Sequence, residues 1–232
     1  MSASGVPPRV AVLSKIRQAL HATGSENTRR AAAAQRIAGP PAPLVPERAQ
    51  RPPDALRTLF RTFLEGQSAT VIEVEDASAV PSAVAGYLRS TNMPLRVRAG
   101  TDDYLAALPW GSEPALERLD GAATGSDEVG LSHAAAAVAE TGTLVLASGA
   151  DNPVTLGYLP ETHVVVVEDK DLVGGYEGAW EKIRARFGRR AMPRTVNFIS
   201  GPSRTADIGG ELVMGAHGPR RLCVILVRGA KV

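Results

Sequence analysis

The chain is poor in cysteine, aromatics and lysine, and each shortage closes off a class of function. Its one cysteine, Cys223, excludes an internal disulfide framework and falls short of the ~4 thiolates that an iron–sulfur cluster takes. Any redox centre is therefore expected on a partner, with no cofactor in this chain. Tyrosine, tryptophan and phenylalanine make up 4% of the residues and are too scattered to form a base-stacking platform, which counts against single-stranded nucleic acid. No apolar run approaches the ~18 residues a membrane span needs, and the first residues lack a signal-peptide apolar core, so a cytoplasmic protein is the expectation. Also missing are His-Glu-x-x-His, Gly-x-Gly-x-x-Gly, Cys-x-x-Cys and a glycine-rich loop ending in Gly-Lys-Ser/Thr. These absences remove zincin, Rossmann-fingerprint, thioredoxin and P-loop readings, and no metal site is expected.

What is present is enough for a full core: 232 residues, 44% of them hydrophobic, suit one α/β domain with an appendage. Charge is uneven. Met1 to Arg61 carries ten Lys/Arg against three Asp/Glu, while the remainder carries 16 against 21. A basic arm of this kind suits an acidic partner or nucleic acid, and an Arg-rich, acid-poor start also mimics a transit peptide. With four lysines against 22 arginines, and abundant Ala, Gly and Pro, biased composition and a solvated arm are the preferred account.

The spacing of Val10, Leu13, Ile16 and Leu20 predicts a helix over Arg9 to His21. Thr23 to Asp54, rich in proline, reads as a linker with at most one or two helical turns around Ala31 to Ala34. These segments define an arm, 1–54, ahead of an α/β domain, 55–232. Ala55 to Gln67 resumes helical spacing. Then come a strand at Thr70 to Val74, a helix at Ala77 to Ser90 and a strand at Pro94 to Val97, in the order that favours a parallel sheet with helices on its faces. A short helix near Leu116 and a strand at Glu128 to Leu131 follow. His133 to Leu146 reads as two strands around a bend, and His163 to Val167 as a buried strand. A helix is expected over Asp169 to Phe187, a strand over Thr195 to Ser200, a short helix through Leu212 and a last strand over Leu222 to Val227. Cys223 then reads as a small core hydrophobe.

Three clusters carry chemistry. In Glu140-Thr141-Gly142-Thr143 an acid, two hydroxyls and a glycine interrupt an apolar run. Such an acid either reaches a cleft, as base or nucleophile, or pairs with an arginine. Gly201-Pro202-Ser203-Arg204-Thr205-Ala206-Asp207 breaks a strand abruptly. Read as a strand running into a helix start, it offers an anion site at the carboxyl edge of the sheet, against the alternative of an Arg204–Asp207 pair that ties down a turn. The third, Gly215-Ala216-His217-Gly218-Pro219, is a turn, where a histidine between glycines is ordinarily a surface residue. Gly130-Leu131-Ser132-His133 faintly echoes a nucleophile elbow but lacks its second glycine.

In this order, together with Ala139, Leu159-Pro160 and the His163 valine run, the clusters resemble the LUD-domain family, in particular its lactate-utilisation protein C group. The resemblance implies a mostly parallel α/β sheet with flanking helices, similar to the NagB/RpiA/CoA-transferase-like fold. It implies a part in oxidising L-lactate to pyruvate alongside iron–sulfur partner proteins. In that picture Thr141, Gly142, Thr143, Gly201, Ser203, Thr205, His217 and Gly218 bind a small anionic ligand, Arg204 neutralises it, and Glu140 and Asp207 orient the arrangement. Gly209-Gly210 stands where the family pattern suggests a glutamate, with the nearest acid at Glu211. Two further readings stay open. One is a free-standing acyl/CoA- or phosphate-handling enzyme with catalytic Glu140. The other is an assembly module docking through the basic arm.

Overall fold

The structure is a computed structural model and describes residues 7–22, 26–40, 42–188, 191–206 and 210–229. The chain divides into two compact units, Met1–Leu44 and Val45–Val232. Residues 45–54, expected to belong to the arm, thus go with the larger unit.

In the smaller unit α1 spans Pro8–Ala19, behind a proline that suits a first turn, and α2 spans Asn27–Ala38. Twelve residues of α2 exceed the turn or two expected in this stretch. The prolines lie outside it, and alanine, the strongest helix former, fills its middle.

The larger unit runs α3 (Pro53–Gly66), β1 (Thr70–Val74), α4 (Val80–Ser90), β2 (Arg96–Ala99), α5 (Asp103–Ala107), β3 (Glu117–Asp120), β4 (Val129–His133), β5 (Ala136–Val138) and β6 (Thr143–Ala147). It continues through β7 (Thr162–Glu168), β8 (Leu172–Val173), α6 (Tyr176–Phe187), β9 (Val196–Ile199), β10 (Arg204–Thr205), β11 (Val213–Met214) and β12 (Arg221–Val227). Six strands form a parallel sheet in the order β1-β12-β7-β4-β2-β3. A second sheet, β8-β5-β6-β9, is mixed, and β10 pairs antiparallel with β11.

Period-two alternation on the central strands explains the layers. On β7, Val164 and Val166 face one core and Val165 and Val167 the other; on β12, Cys223, Ile225 and Val227 oppose Leu222, Val224 and Leu226. The first core packs under Val84 and Leu88 of α4. The second holds Phe60 and Leu64 of α3 with Leu144 and Leu146 of β6, so the second sheet lies behind the parallel one. A third cluster joins β5 and β6 to Ala179 and Ile183 of α6. Burial of Cys223 pushes its thiol up to about 12, in keeping with a core hydrophobe.

Three expectations are corrected. The helix over Asp169 to Phe187 begins only at Tyr176, because Leu172–Val173 is extended and pairs with β5. The strand Glu117–Asp120 replaces the short helix near Leu116. Between Ser203 and Leu212 the described residues form no helix; β10 and β11 pair instead, Arg204 with Met214 and Thr205 with Val213.

Candidate functional site

Glu140 sits in a 3-10 turn, Ala139–Thr141, between β5 and β6. The residue is 5% exposed; its carboxylate accepts a hydrogen bond from Arg48 Nε at 3.3 Å, while its own N–H donates to the Gly174 carbonyl at 3.0 Å. Of the two roles open to a buried acid, the structure supplies the arginine pair. Gly142 closes the turn at φ +61°, and a Cβ there would lie 2.7 Å from Phe63 Cβ and 2.9 Å from Leu64 N. The glycine is thus required by the close approach of α3, independently of any ligand.

The two threonines belong to a hydroxyl network. Thr143 Oγ1 is hydrogen-bonded to Thr141 Oγ1 (2.7 Å), Tyr176 OH (3.1 Å) and Ser200 Oγ (2.7 Å), and Thr141 also reaches Tyr176 (3.0 Å). Thr143 is fully buried, so Thr143→Val removes the hub and strands its partners. Urea unfolding is expected to register a loss of about 1–3 kcal/mol, with Thr143→Ser closer to wild type. Equal midpoints for all three proteins would refute the network's contribution.

Ser200 carries this network to the wall of an open cleft of about 220 Å³. Gly201, Ser203, His217 and Gly218, all expected site residues, line it with Tyr158 and Phe198. Ser203 holds the walls together: its N–H donates to the Pro219 carbonyl (2.8 Å), its carbonyl accepts from Gly215 N–H (2.9 Å), and its Oγ accepts from His217 N–H (3.3 Å). Arg204 turns away from the cleft and donates to the Gln67 carbonyl, and Glu140 and Thr205 do not line it. Asp207 and Gly209, with the proposed Arg204–Asp207 pair, lie outside the described residues.

The cleft is also not where the sequence placed it. Its segments 157–160 and 217–219 lead into β7 and β12, whose first residues, Thr162 and Arg221, pair with each other. This is the amino edge of the parallel sheet. β9, expected to deliver the site at a carboxyl edge, is antiparallel to β6 in the second sheet.

The carboxyl edge carries a cluster that the sequence reading passed over. His133 ends β4, Glu168 ends β7, and Asp102 follows β2 as the N-cap of α5, accepting Leu105 N–H at 3.2 Å. His133 Nδ1 lies 3.0 Å from Asp102 Oδ1, and the Tyr104 ring stacks on the imidazole with centroids 4.3 Å apart. Although burial works to raise it, Asp102 is held below the ordinary carboxylate range chiefly by its hydrogen bond to His133. A carboxylate can only accept, so Nδ1 carries the proton and Nε2 is left facing Glu168 Oε2 at 4.0 Å. Neither His133 Nε2 nor Tyr104 OH has a hydrogen-bond partner, although both are buried. They border a cleft of about 440 Å³ with Lys170, Asp171, Lys182 and Arg186. The signal was present in the sequence: polar residues sit at the ends of three strands, where an α/β sheet binds ligands.

Residues 122–227 match the model of the LUD domain. The match takes in a little under half of the chain. Over 100 residues the chain is 36% identical to lactate utilization protein C of Shouchella clausii, covering 43% of this chain and 44% of that protein. It is 34% identical over 119 residues to the protein of the same name from Geobacillus thermodenitrificans, covering 51% and 49% respectively. The aligned stretch thus spans about half the length of these relatives or less. A DUF162 family protein from Deinococcus radiodurans, known from its crystal structure, has the same α/β fold: TM-score 0.56, 24% identity, 76% of this chain and 99% of that one. The matched segment contains the Ser203–His217 cleft, the hydroxyl network, His133 and Glu168, whereas Arg48, Asp102 and Tyr104 precede it. Among the described residues no helix is long and apolar enough to cross a membrane.

Proposed function

We propose that this chain is a component of lactate utilisation that works beside iron–sulfur partner proteins in the cytoplasm and receives a small carboxylate or phosphate in its amino-edge cleft. The observation that carries the reading is the likeness, at 34–36% identity over 100 and 119 residues, to proteins named lactate utilization protein C, beside the LUD-domain match over 122–227, which includes the cleft. Ser200 and Ser203 hydroxyls and His217 at its wall supply donors suited to an anion. Arg204, bonded elsewhere, is not part of the ligand's first contacts in this reading.

The exposed aromatic faces of Tyr158 (45%) and Phe198 (37%) on the same rim favour a second use of the cleft, as the seat of a partner's loop. Glu140 as a nucleophile draws no support from its burial beneath Arg48.

Deleting the gene in its native host is expected to abolish growth on L-lactate, with growth on glucose unchanged. Complementation with Ser203→Ala/His217→Ala should restore it poorly. Titration of the purified protein with L-lactate, pyruvate and phosphate separates the two uses: binding lost in the double variant supports the anion site. Co-purification of iron–sulfur proteins lost in Phe198→Ser supports docking. Growth on L-lactate unaffected by the deletion would refute the proposal.

A further inference from the structure

We infer that His133, Glu168 and Asp171 form a binding site for a divalent first-row transition ion at the carboxyl edge of the parallel sheet. Among the described residues, these three side chains offer one ligand atom each within 4.8 Å of one another. His133 Nε2 and Glu168 Oε2 are 4.0 Å apart, on the order of the 3–4 Å that separates two ligands each about 2.1 Å from a shared ion. The site lies at the opposite edge of the sheet from the Ser203–His217 cleft, and it does not depend on the lactate reading.

Two features point to an ion and not only to an ion-pair cluster. The first is the orphaned Nε2. With Nδ1–H committed to Asp102, Nε2 has no hydrogen-bond partner and faces two carboxylates; as a ligand it would offer its lone pair to an ion held between them. An acceptor facing acceptors is satisfied by a cation between them. The second is Asp102 itself, a carboxylate outside the proposed ligand set that fixes the tautomer and orientation of the ring. Metal-binding histidines are held in this way, and the stacked Tyr104 ring restrains the imidazole further. One imidazole with two carboxylates suits Zn2+ or Mn2+ better than Ca2+, and three protein ligands leave open positions towards the cleft.

Lys170 Nζ, 2.7 Å from Glu168, and Lys182 Nζ, 2.9 Å from Asp171, neutralise the carboxylates meanwhile. Lys170 is long, flexible and 69% exposed in its side chain, so it can swing into solvent as an ion enters. It is a competitor of the metal, which gives the inference a consequence of unusual sign: removing a surface lysine strengthens binding.

The test is calorimetric titration of the untagged, metal-stripped full chain with Zn2+. One ion per chain is expected, with binding lost in His133→Ala and in Glu168→Gln. Asp102→Asn should weaken it roughly 10–100-fold, as loss of an orienting carboxylate does. Lys170→Ala should bind at least as tightly as wild type. X-ray absorption on zinc-loaded wild type needs no variant and is expected to report one imidazole among oxygen ligands. No uptake by the wild type, uptake unchanged by His133→Ala, or a zinc shell without imidazole would overturn the inference.

Discussion

Gly142→Ala is expected to destabilise the larger unit by about 3 kcal/mol, lowering Tm by on the order of 10 °C in a domain of this size. Two costs add. An alanine at φ +61° occupies the left-handed region at a penalty of about 1 kcal/mol. Its Cβ would also meet Leu64 N at 2.9 Å and Phe63 C at 3.1 Å, which are backbone atoms of α3 and cannot rotate away as a side-chain tip would. Moving α3 disturbs the core held by Phe60 and Leu64, both fully buried, for a further cost of about 2 kcal/mol. Gly86→Ala is the control. This glycine is inside α4, nothing lies within 4 Å of an added Cβ, and alanine is the better helix former, so its expected effect is stabilisation of up to about 1 kcal/mol. Thermal unfolding of both variants decides the matter. If Gly142→Ala melts with the wild type, α3 does not press on the turn, and the glycine of this motif needs another explanation.

Lowering the pH from 7.5 to 4 is expected to cost about 3 kcal/mol through a single histidine. His163 is 1% exposed in the middle of the parallel sheet, with Nε2 3.0 Å from Ser132 Oγ and its ring packed against Gly157. Burial pushes it down from 6.5 to about 4. Between those values the unfolded chain takes up a proton and the folded chain does not, so stability falls as pH drops through the window and levels off below about 4. The interval between 6.5 and about 4, at about 1.4 kcal/mol per pH unit, sets the size. Urea unfolding of wild type and His163→Gln at pH 7.5 and 4.5 isolates this contribution from that of the carboxylates. The variant should lose less stability than wild type across the interval, and equal losses would show that His163 protonates in place.

The core was more legible in the sequence than the site. The valine run after His163 and the Leu222 to Val227 run read as buried strands because their side chains are apolar on both faces, and both became central strands of the parallel sheet. The bend between Ala136 and Ala147 was legible for a similar local reason, since Glu140-Thr141-Gly142-Thr143 interrupts the apolar pattern. The stretch after Ser200 misled. Gly-Pro followed by small hydroxylated residues resembles a helix start, but Arg204 and Thr205 find backbone partners at Met214 and Val213, a pairing set by residues further along the chain. His133 was weighed only against its sequence neighbours, whereas its partners Asp102 and Glu168 are 31 and 35 positions away, as 133 − 102 and 168 − 133 give.

By itself the sequence determined an α/β class, two apolar faces on the central strands and a cysteine count too low for a cluster. All of these depend on composition or on periodicity within about ten residues. The tertiary structure alone decided that β1 pairs with β12, that Gly142 is pinned by α3, that the serine cleft opens at the amino edge and that His133 faces Glu168 at the carboxyl edge. Strand order and edge depend on contacts between segments far apart in the chain, and local spacing carries no record of which distant segment a strand will meet.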